Sequence, residues 1–284
     1  MDLHFTKMHG CGNDFVVVDD RDAVWDFEPE AVELLCDRHF GIGADGLILL
    51  RPPDTRDADL RMVYFNADGS TAEMCGNGIR ALAKFALDRG ITAGDSLRVL
   101  TPDGVKPIAL TRGDDGAMLL ARVDMGSPVL AAELVPTTLP GDPVVDAIVH
   151  TSTGDVAVTC VSMGNPHAVL WVDDVDLAPV EVVGPLVEVH PAFPRKTNVE
   201  FAQAVARDRV RLRVWERGVG ETLACGSGAC ATVVAGVLAG RLERAATVEL
   251  LGGELLIEWA DSGEVLMTGP AEKVFEGVWP IPGE

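Results

Sequence analysis

The chain has 284 residues, 48% of them apolar and 24% charged, which is the balance of a folded protein and excludes a disordered one. A formal net charge of −21 excludes a general nucleic-acid or anionic-membrane binder, and no apolar run reaches the ~18 residues of a membrane span. Six cysteines in a chain of this length are not a disulfide scaffold, and without a C-x-x-C or paired histidines no zinc framework is present, so no metal is expected.

The length suits two domains of ordinary size, each able to bury a core. Met1–Gly10 lacks the apolar core of a signal peptide, so a cytoplasmic protein is expected. Phe15–Val18 reads as a buried strand, and Glu30–Arg38 as a helix with Pro29 near its start and Gly41 beyond its end. Gly41-Ile42-Gly43-Ala44-Asp45-Gly46 matches G-x-G-x-x-G, but it follows a helix and opens the apolar run Leu47–Leu50. A dinucleotide fingerprint has the inverse context, so this match is a decoy. Arg51–Asp59 is a polar turn, and Met62–Phe65 leads as a strand into a glycine-rich turn and a helix to about Asp88. Leu97–Leu100 and Lys106–Leu110 flank Pro102-Asp103-Gly104, a hairpin signal, and Met118–Val123 is the next strand. A boundary is expected near Arg122, giving domains 1–122 and 123–270, with the tail 271–284 packing back on the first.

The second half repeats the plan. Strand patterns lie at Val144–His150, Val156–Val161 and Ala168–Val172, with a helix-like stretch over Val180–Val189. Asn198–Phe201 and Val210–Trp215 lead to a second glycine-rich turn and helix. Thr247–Leu251 and Glu254–Trp259 then turn on Gly252-Gly253, and Glu264–Thr268 adds a last strand before the tail.

The two glycine-rich turns are Met74-Cys75-Gly76-Asn77-Gly78 and Ala224-Cys225-Gly226-Ser227-Gly228. Aligned without a gap, Arg61–Gly90 and Arg211–Gly240 match at Arg61/Arg211, Cys75/Cys225 and three glycine pairs. Gly12-Asn13 and Gly164-Asn165 echo each other before strands, and Pro29–Phe40 echoes Pro179–Pro191. The expected fold is therefore α+β. It has two pseudo-symmetric domains, each an antiparallel-rich sheet wrapped around a central helix, with the two cysteines facing a shared cleft.

Each cysteine stands just before a helix, where unpaired backbone N–H groups and the macrodipole favour negative charge. A free thiol of pKa ~8.5 is about 3% ionised at pH 7. A helix N-terminus contributing up to ~2 kcal/mol would shift it by roughly 1.5 units, to near 7. Two such thiols across a cleft suit removal of a proton from one face of an acidic carbon and delivery to the other, with the helix N-termini holding the reacting carboxylate. Lysines stand in no cofactor setting, and none is needed. Cys11, Cys36, Cys160 and Cys230 read as packing residues, and Arg80 and Arg241 as helix-surface charges.

Gly10-Cys11-Gly12-Asn13-Asp14-Phe15, Phe65-Asn66-Ala67-Asp68-Gly69-Ser70, Met74–Arg80, Gly164-Asn165-Pro166-His167, Thr197-Asn198-Val199-Glu200 and Trp215-Glu216-Arg217-Gly218…Ala224–Ala229 together resemble the diaminopimelate epimerase family over nearly the whole chain. The resemblance implies interconversion of LL- and meso-2,6-diaminoheptanedioate on the route to lysine and peptidoglycan, without cofactor or metal. It also implies a homodimer and sensitivity to oxidation through a Cys75–Cys225 bridge. Carried over by position, Cys75 and Cys225 are the acid–base pair, and Gly76, Asn77, Gly226 and Ser227 hold the reacting carboxylate. Asn13, Asn66, Asn165, Asn198, Glu216 and Arg217 hold the amino groups and the distal carboxylate, while His167 and Glu216 tune the cysteines. Some members carry a substrate-contacting glutamine where this chain has Gly46, so no role transfers there.

Two rivals remain open. Proline or hydroxyproline racemases share such an architecture but typically show a histidine two positions after the first cysteine, where this chain has Asn77. A non-catalytic binding protein or thiol redox switch would cycle a disulfide and exchange no α-proton.

Overall fold

A computed structural model describes residues 2–71 and 75–280; Met74 of the first cysteine motif and residues 281–284 of the tail lie outside them. The chain divides into two compact units, Met1–Val123 with Gly269–Glu284, and Asp124–Thr268.

The first unit contains β1 (Asp2–Gly10), β2 (Asn13–Asp19), α1 (Pro29–Cys36), β3 (Gly46–Arg51), β4 (Leu60–Asn66), α2 (Gly76–Asp88), β5 (Ser96–Thr101), β6 (Gly104–Arg112) and β7 (Met118–Asp124). The second contains β8 (Ala147–Thr151), β9 (Gly154–Ser162), β10 (Pro166–Trp171), α3 (Val180–Glu188), β11 (Asn198–Ala206), β12 (Arg209–Glu216), β13 (Gly220–Thr222), α4 (Gly226–Leu238), β14 (Ala245–Leu250), β15 (Gly253–Trp259) and β16 (Val265–Gly269). The chain ends in β17 (Glu272–Pro280), which pairs antiparallel with β1, Asp2 opposite Pro280.

The repeat extends to the ladders. In the first unit the strands run β17-β1-β2-β3-β4-β5-β6-β7, with β2–β3 and β4–β5 parallel and the other neighbours antiparallel. In the second, β8-β9-β10-β11-β12-β14-β15-β16 shows the same sequence of pairings, with β10–β11 and β12–β14 parallel. The place that β8 fills in the second unit is filled in the first by β17 from the far end of the chain.

The central helix of each unit is buried over most of its length. On α2 every residue from Gly76 to Ala83 is buried, and on α4 every residue from Gly228 to Gly236. Smaller cores lie under the flanking helices: Val32, Leu35 and Cys36 of α1 meet Val16, Val18, Leu47 and Leu49, while Val183 and Val187 of α3 meet Val199 and Phe201.

Four strands depart from the sequence expectation, the short β13 among them, which pairs back on β12 in a segment read only as leading to the second glycine-rich turn. β1 is a strand although Thr6 and Lys7 interrupt its apolar alternation; both are buried, Lys7 against Asp14 at 2.6 Å. β17 lies in the segment read only as tail. β8 starts at Ala147 rather than Val144, because Asp146 adopts a φ of 49°, outside extended backbone. The G-x-G-x-x-G segment runs from the end of α1 into β3, the inverted context of a decoy.

Candidate active site

Both cysteines are helix N-caps, a position usually held by Ser, Thr, Asp or Asn. Cys75 (φ −134°, ψ 106°) accepts on sulfur from the Gly78 N–H at 3.3 Å, and Cys225 (φ −121°, ψ 112°) from the Gly228 N–H at 3.4 Å. Gly76 and Asn77, and likewise Gly226 and Ser227, form the first helical residues, whose backbone N–H groups have no acceptor within the helix.

In the first unit, Asn13 at the start of β2 lies beside both Cys75 and Asn77. Cys75 Sγ is 3.9 Å from Asn13 Oδ1, and Asn77 Nδ2 donates to that oxygen at 3.1 Å. Asn13 Nδ2 donates the other way, to Asp45 Oδ2 at 2.7 Å. Asp45 is held in turn by Arg38 at 2.7 Å. Asn66 ends β4, its Nδ2 donating to Ser70 Oγ at 2.9 Å.

Arg80 overturns its reading as a surface charge. It is fully buried, because the first turns of α2 have no exposed face. Its guanidinium donates to Gly76 O at 3.0 Å, to Asn77 Oδ1 at 3.0 Å and to Pro270 O at 3.2 Å. Arg241 is a surface residue, stacked over Trp171 at 5.3 Å. Gly46 has no room for a side chain: a Cβ there would lie 2.5 Å from the Tyr64 ring and 2.6 Å from Phe65 O. The departure at this position is therefore built into the packing of β3 against β4.

In the second unit, Cys225 Sγ is 3.5 Å from Ser227 Oγ. Burial pushes the Cys225 thiol well above its ordinary pKa, and the charges of Glu216 and Glu200 push the same way. The hydrogen bonds from Ser227 and Gly228 only partly oppose them. At Cys225 the helix N-terminus, expected to bring the thiol near 7, works against burial and two acidic neighbours. A cysteine only 6% exposed loses more from desolvation than a capping N–H returns. Glu216 accepts from Thr222 Oγ1 at 2.5 Å across the β12–β13 hairpin.

His167, on β10, is fully buried between two acceptors-in-waiting: Nδ1 is 2.6 Å from Glu200 Oε1 and Nε2 is 2.9 Å from Asn165 Oδ1. Asn198 spends its amide on the protein, Nδ2 donating to Pro166 O at 2.9 Å while Oδ1 accepts from the Arg217 N–H at 2.9 Å. It shapes the Arg217 turn, which Glu188 also holds through Gly218 N at 3.1 Å and Trp215 Nε1 at 2.8 Å. The Arg217 side chain is exposed and donates to Arg195 O at 3.2 Å.

The remaining cysteines are buried. Burial pushes the Cys36 thiol up to about 11 and Cys160 up to about 12, so both stay protonated at neutral pH. Among the described residues no group of three or more His, Cys, Asp or Glu side chains could hold a metal, and no helix is long and apolar enough to cross a membrane.

The sequence model of the diaminopimelate epimerase family matches residues 5–131 and 159–274, a span that contains every one of these side chains. The chain belongs to the diaminopimelate epimerase family. Members of the family resemble it from end to end. The diaminopimelate epimerase of Pelotomaculum thermopropionicum is 50% identical over 282 residues, covering 98% of this chain and 99% of the relative. That of Moorella thermoacetica is 51% identical over 282 residues, covering 98% and 100%. Among solved structures, a hydroxyproline epimerase from Agrobacterium vitis superposes with a TM-score of 0.70 at 16% identity, covering 98% of this chain and 91% of that one. A phenazine biosynthesis protein of the PhzF family from Bacillus anthracis gives 0.71 at 16% identity, covering 99% and 100%. At such identity the likeness is one of fold alone.

Glu200, Asp45 and Arg80 were not assigned to the site from sequence. Glu200 carried a signal, as an acid inside the apolar strand pattern Asn198–Phe201. Arg80 carried none: at helical spacing it lines up with Asn77, Lys84 and Asp88, the pattern of a solvent-facing stripe.

Proposed function

We propose that the chain interconverts LL- and meso-2,6-diaminoheptanedioate, with Cys75 and Cys225 as a two-base pair and no metal or cofactor. As a member of this family it is an isomerase, and the reaction supplies lysine and peptidoglycan precursors. The observation that carries the reading is the pair of cysteines capping equivalent helices in two units of identical ladder order. The two halves of the enzyme, residues 1–122 with the tail and residues 123–270, each contribute one cysteine.

One cysteine acts as thiolate and takes the α-proton; the C–H electron pair stays on the carbon and spreads into its carboxylate. The other, as thiol, returns a proton to the opposite face. Burial and the charge of Glu216 favour the thiol form of Cys225, and the two cysteines exchange roles with the direction of the reaction. Backbone N–H groups of Gly76, Asn77, Gly226 and Ser227 receive the carboxylate, whose charge grows as the carbanion forms. Asn13 offers a carbonyl oxygen, suited to an ammonium. Asn165 turns its oxygen to His167 and so offers its NH2, suited to a carboxylate. Asn66, Asn198, Glu216 and Arg217 complete the ring, Asn198 by holding the Arg217 backbone.

The test is turnover of reduced protein on LL-diaminopimelate beside L-proline and trans-4-hydroxy-L-proline. Turnover of diaminopimelate alone supports the assignment. Turnover of proline isomers alone moves it to the racemases, and a cycling disulfide without α-exchange moves it to a redox protein. The cytoplasmic homodimer belongs to the same proposal, and its mass in solution checks the dimer.

A further inference from the structure

The internal repeat breaks its own symmetry beneath the two cysteine helices. Phe15 stands opposite Gly46 in the β2–β3 ladder, and His167 opposite Asn198 in the β10–β11 ladder; both pairs are related by 152 positions. Ile48 and Glu200 are related by the same 152 positions. Each lies under the third residue of its cysteine helix: a Cβ on Gly78 would come 3.0 Å from Ile48 Cδ1, and one on Gly228 2.9 Å from Glu200 Oε1. The first unit thus packs a phenylalanine and an isoleucine where the second packs a histidine and a glutamate, and all four side chains are fully buried.

An apolar pair fills this place in the first unit, so the fold does not need an acid there. Burying one is costly unless it is well paired, and Glu200 is only half paired, since Oε2 has no hydrogen-bond partner. What the glutamate supplies is a fixed proton on the ring. Asn165 Oδ1 can only accept, so His167 Nε2 carries a hydrogen. One more proton then lies between Nδ1 and Oε1, which are 2.6 Å apart, and the pair is neutral whichever atom holds it. Without that proton a carboxylate would face the ring's lone pair; with a second one, the core would hold an uncompensated charge. The other titratable groups around the pair are the thiols of Cys160 on β9 and Cys225 on α4, and Glu216 beside Cys225 on β12. None supplies a cation to the carboxyl.

We propose that Glu200 is a positioning residue: acting through His167, it fixes the Nε2–H tautomer that holds the Asn165 oxygen and turns the Asn165 NH2 toward a substrate carboxylate. The inference rests on the diaminopimelate reading of the site.

The test combines imidazole 15N NMR of the full-length protein with steady-state kinetics on diaminopimelate. Wild-type His167 should show a protonated Nε2 and a far-downfield proton at Nδ1. Glu200→Gln can still donate to Nδ1, so the tautomer should persist without the downfield proton, and kcat/KM should stay within about threefold. Glu200→Leu leaves Nδ1 without a partner and frees the ring; KM should rise about tenfold, the value of one hydrogen bond, with a smaller change in kcat. A bare Nε2 in wild type, a Glu200→Gln protein with KM raised tenfold, or a folded Glu200→Leu protein with wild-type KM each overturns the proposal. Should Glu200→Leu not fold, the wild-type spectrum and Glu200→Gln decide alone. Wild-type protein that leaves diaminopimelate unchanged sinks the functional reading instead, and the spectrum still tests the tautomer.

Discussion

Arg80 donates from its guanidinium to Asn77 Oδ1 at 3.0 Å, at full burial, and this contact starts a chain of one-way hydrogen bonds. A guanidinium can only donate, so Asn77 must turn its oxygen to Arg80 and its NH2 to Asn13. Asn13 then turns its NH2 to the Asp45 carboxylate, which Arg38 pairs from its other oxygen. Both charged ends impose the same direction, and the result is a carbonyl oxygen at Cys75.

That polarity predicts a rescue. Asn13→Asp sets a second carboxylate against Asp45, where the present contact is 2.7 Å, and should lower kcat/KM by about 30-fold, or roughly 2 kcal/mol. Adding Asp45→Asn restores a donor between the two positions while keeping an acceptor at Cys75, and should recover about tenfold of the loss. A double variant no better than Asn13→Asp would contradict the assigned direction of the chain.

Burial of Arg80 predicts a large stability loss on its removal. Arg80→Met strands three acceptors, Gly76 O, Asn77 Oδ1 and Pro270 O, each worth about 1–3 kcal/mol when left unsatisfied. Urea unfolding should show a loss of at least about 3 kcal/mol. A loss under about 0.5 kcal/mol would instead describe a surface charge.

The two glycines at the third helical position should differ in tolerance. A Cβ at Gly78 meets the flexible tip of Ile48, whereas one at Gly228 meets a carboxyl oxygen held by His167. Gly228→Ala should destabilise by about 1–3 kcal/mol and lower kcat, with Gly78→Ala milder on both counts. Equal losses would argue against an anchored Glu200.

Cys225 should ionise late. In a Cys75→Ala background its alkylation by iodoacetamide should rise only above the usual thiol range, since burial and then Glu216 disfavour the thiolate. Glu216→Gln removes a negative charge, so the alkylation profile should move to lower pH. Movement to higher pH would mean that Glu216 stabilises the thiolate.

Much of this architecture is visible in the residues themselves. The Cys-Gly-polar-Gly turns mark both helix starts, and the repeated spacing brings out two like units, because local capping chemistry and apolar periodicity suffice for both. What escaped depends on partners far along the chain. β1 hides behind Thr6 and Lys7, which become ordinary interior residues only once Arg89 and Asp14 meet them. β17 needs β1, some 270 positions away, to become a strand. Arg80 looks like a surface charge until the chain carries Pro270 O to its guanidinium. The upward push on the Cys225 thiol escapes the sequence for the same reason: a cap is local, but the burial and the Glu216 charge that oppose it come from the rest of the second unit.

The most direct measurement is α-proton exchange in D2O, with reduced, cofactor-stripped protein and LL-diaminopimelate followed by NMR, alongside Cys75→Ala and Cys225→Ala. A two-base pair predicts meso product carrying deuterium at one α-carbon from the wild type, and no epimerisation by either variant. Meso product formed by a variant that retains only one of these cysteines would contradict it.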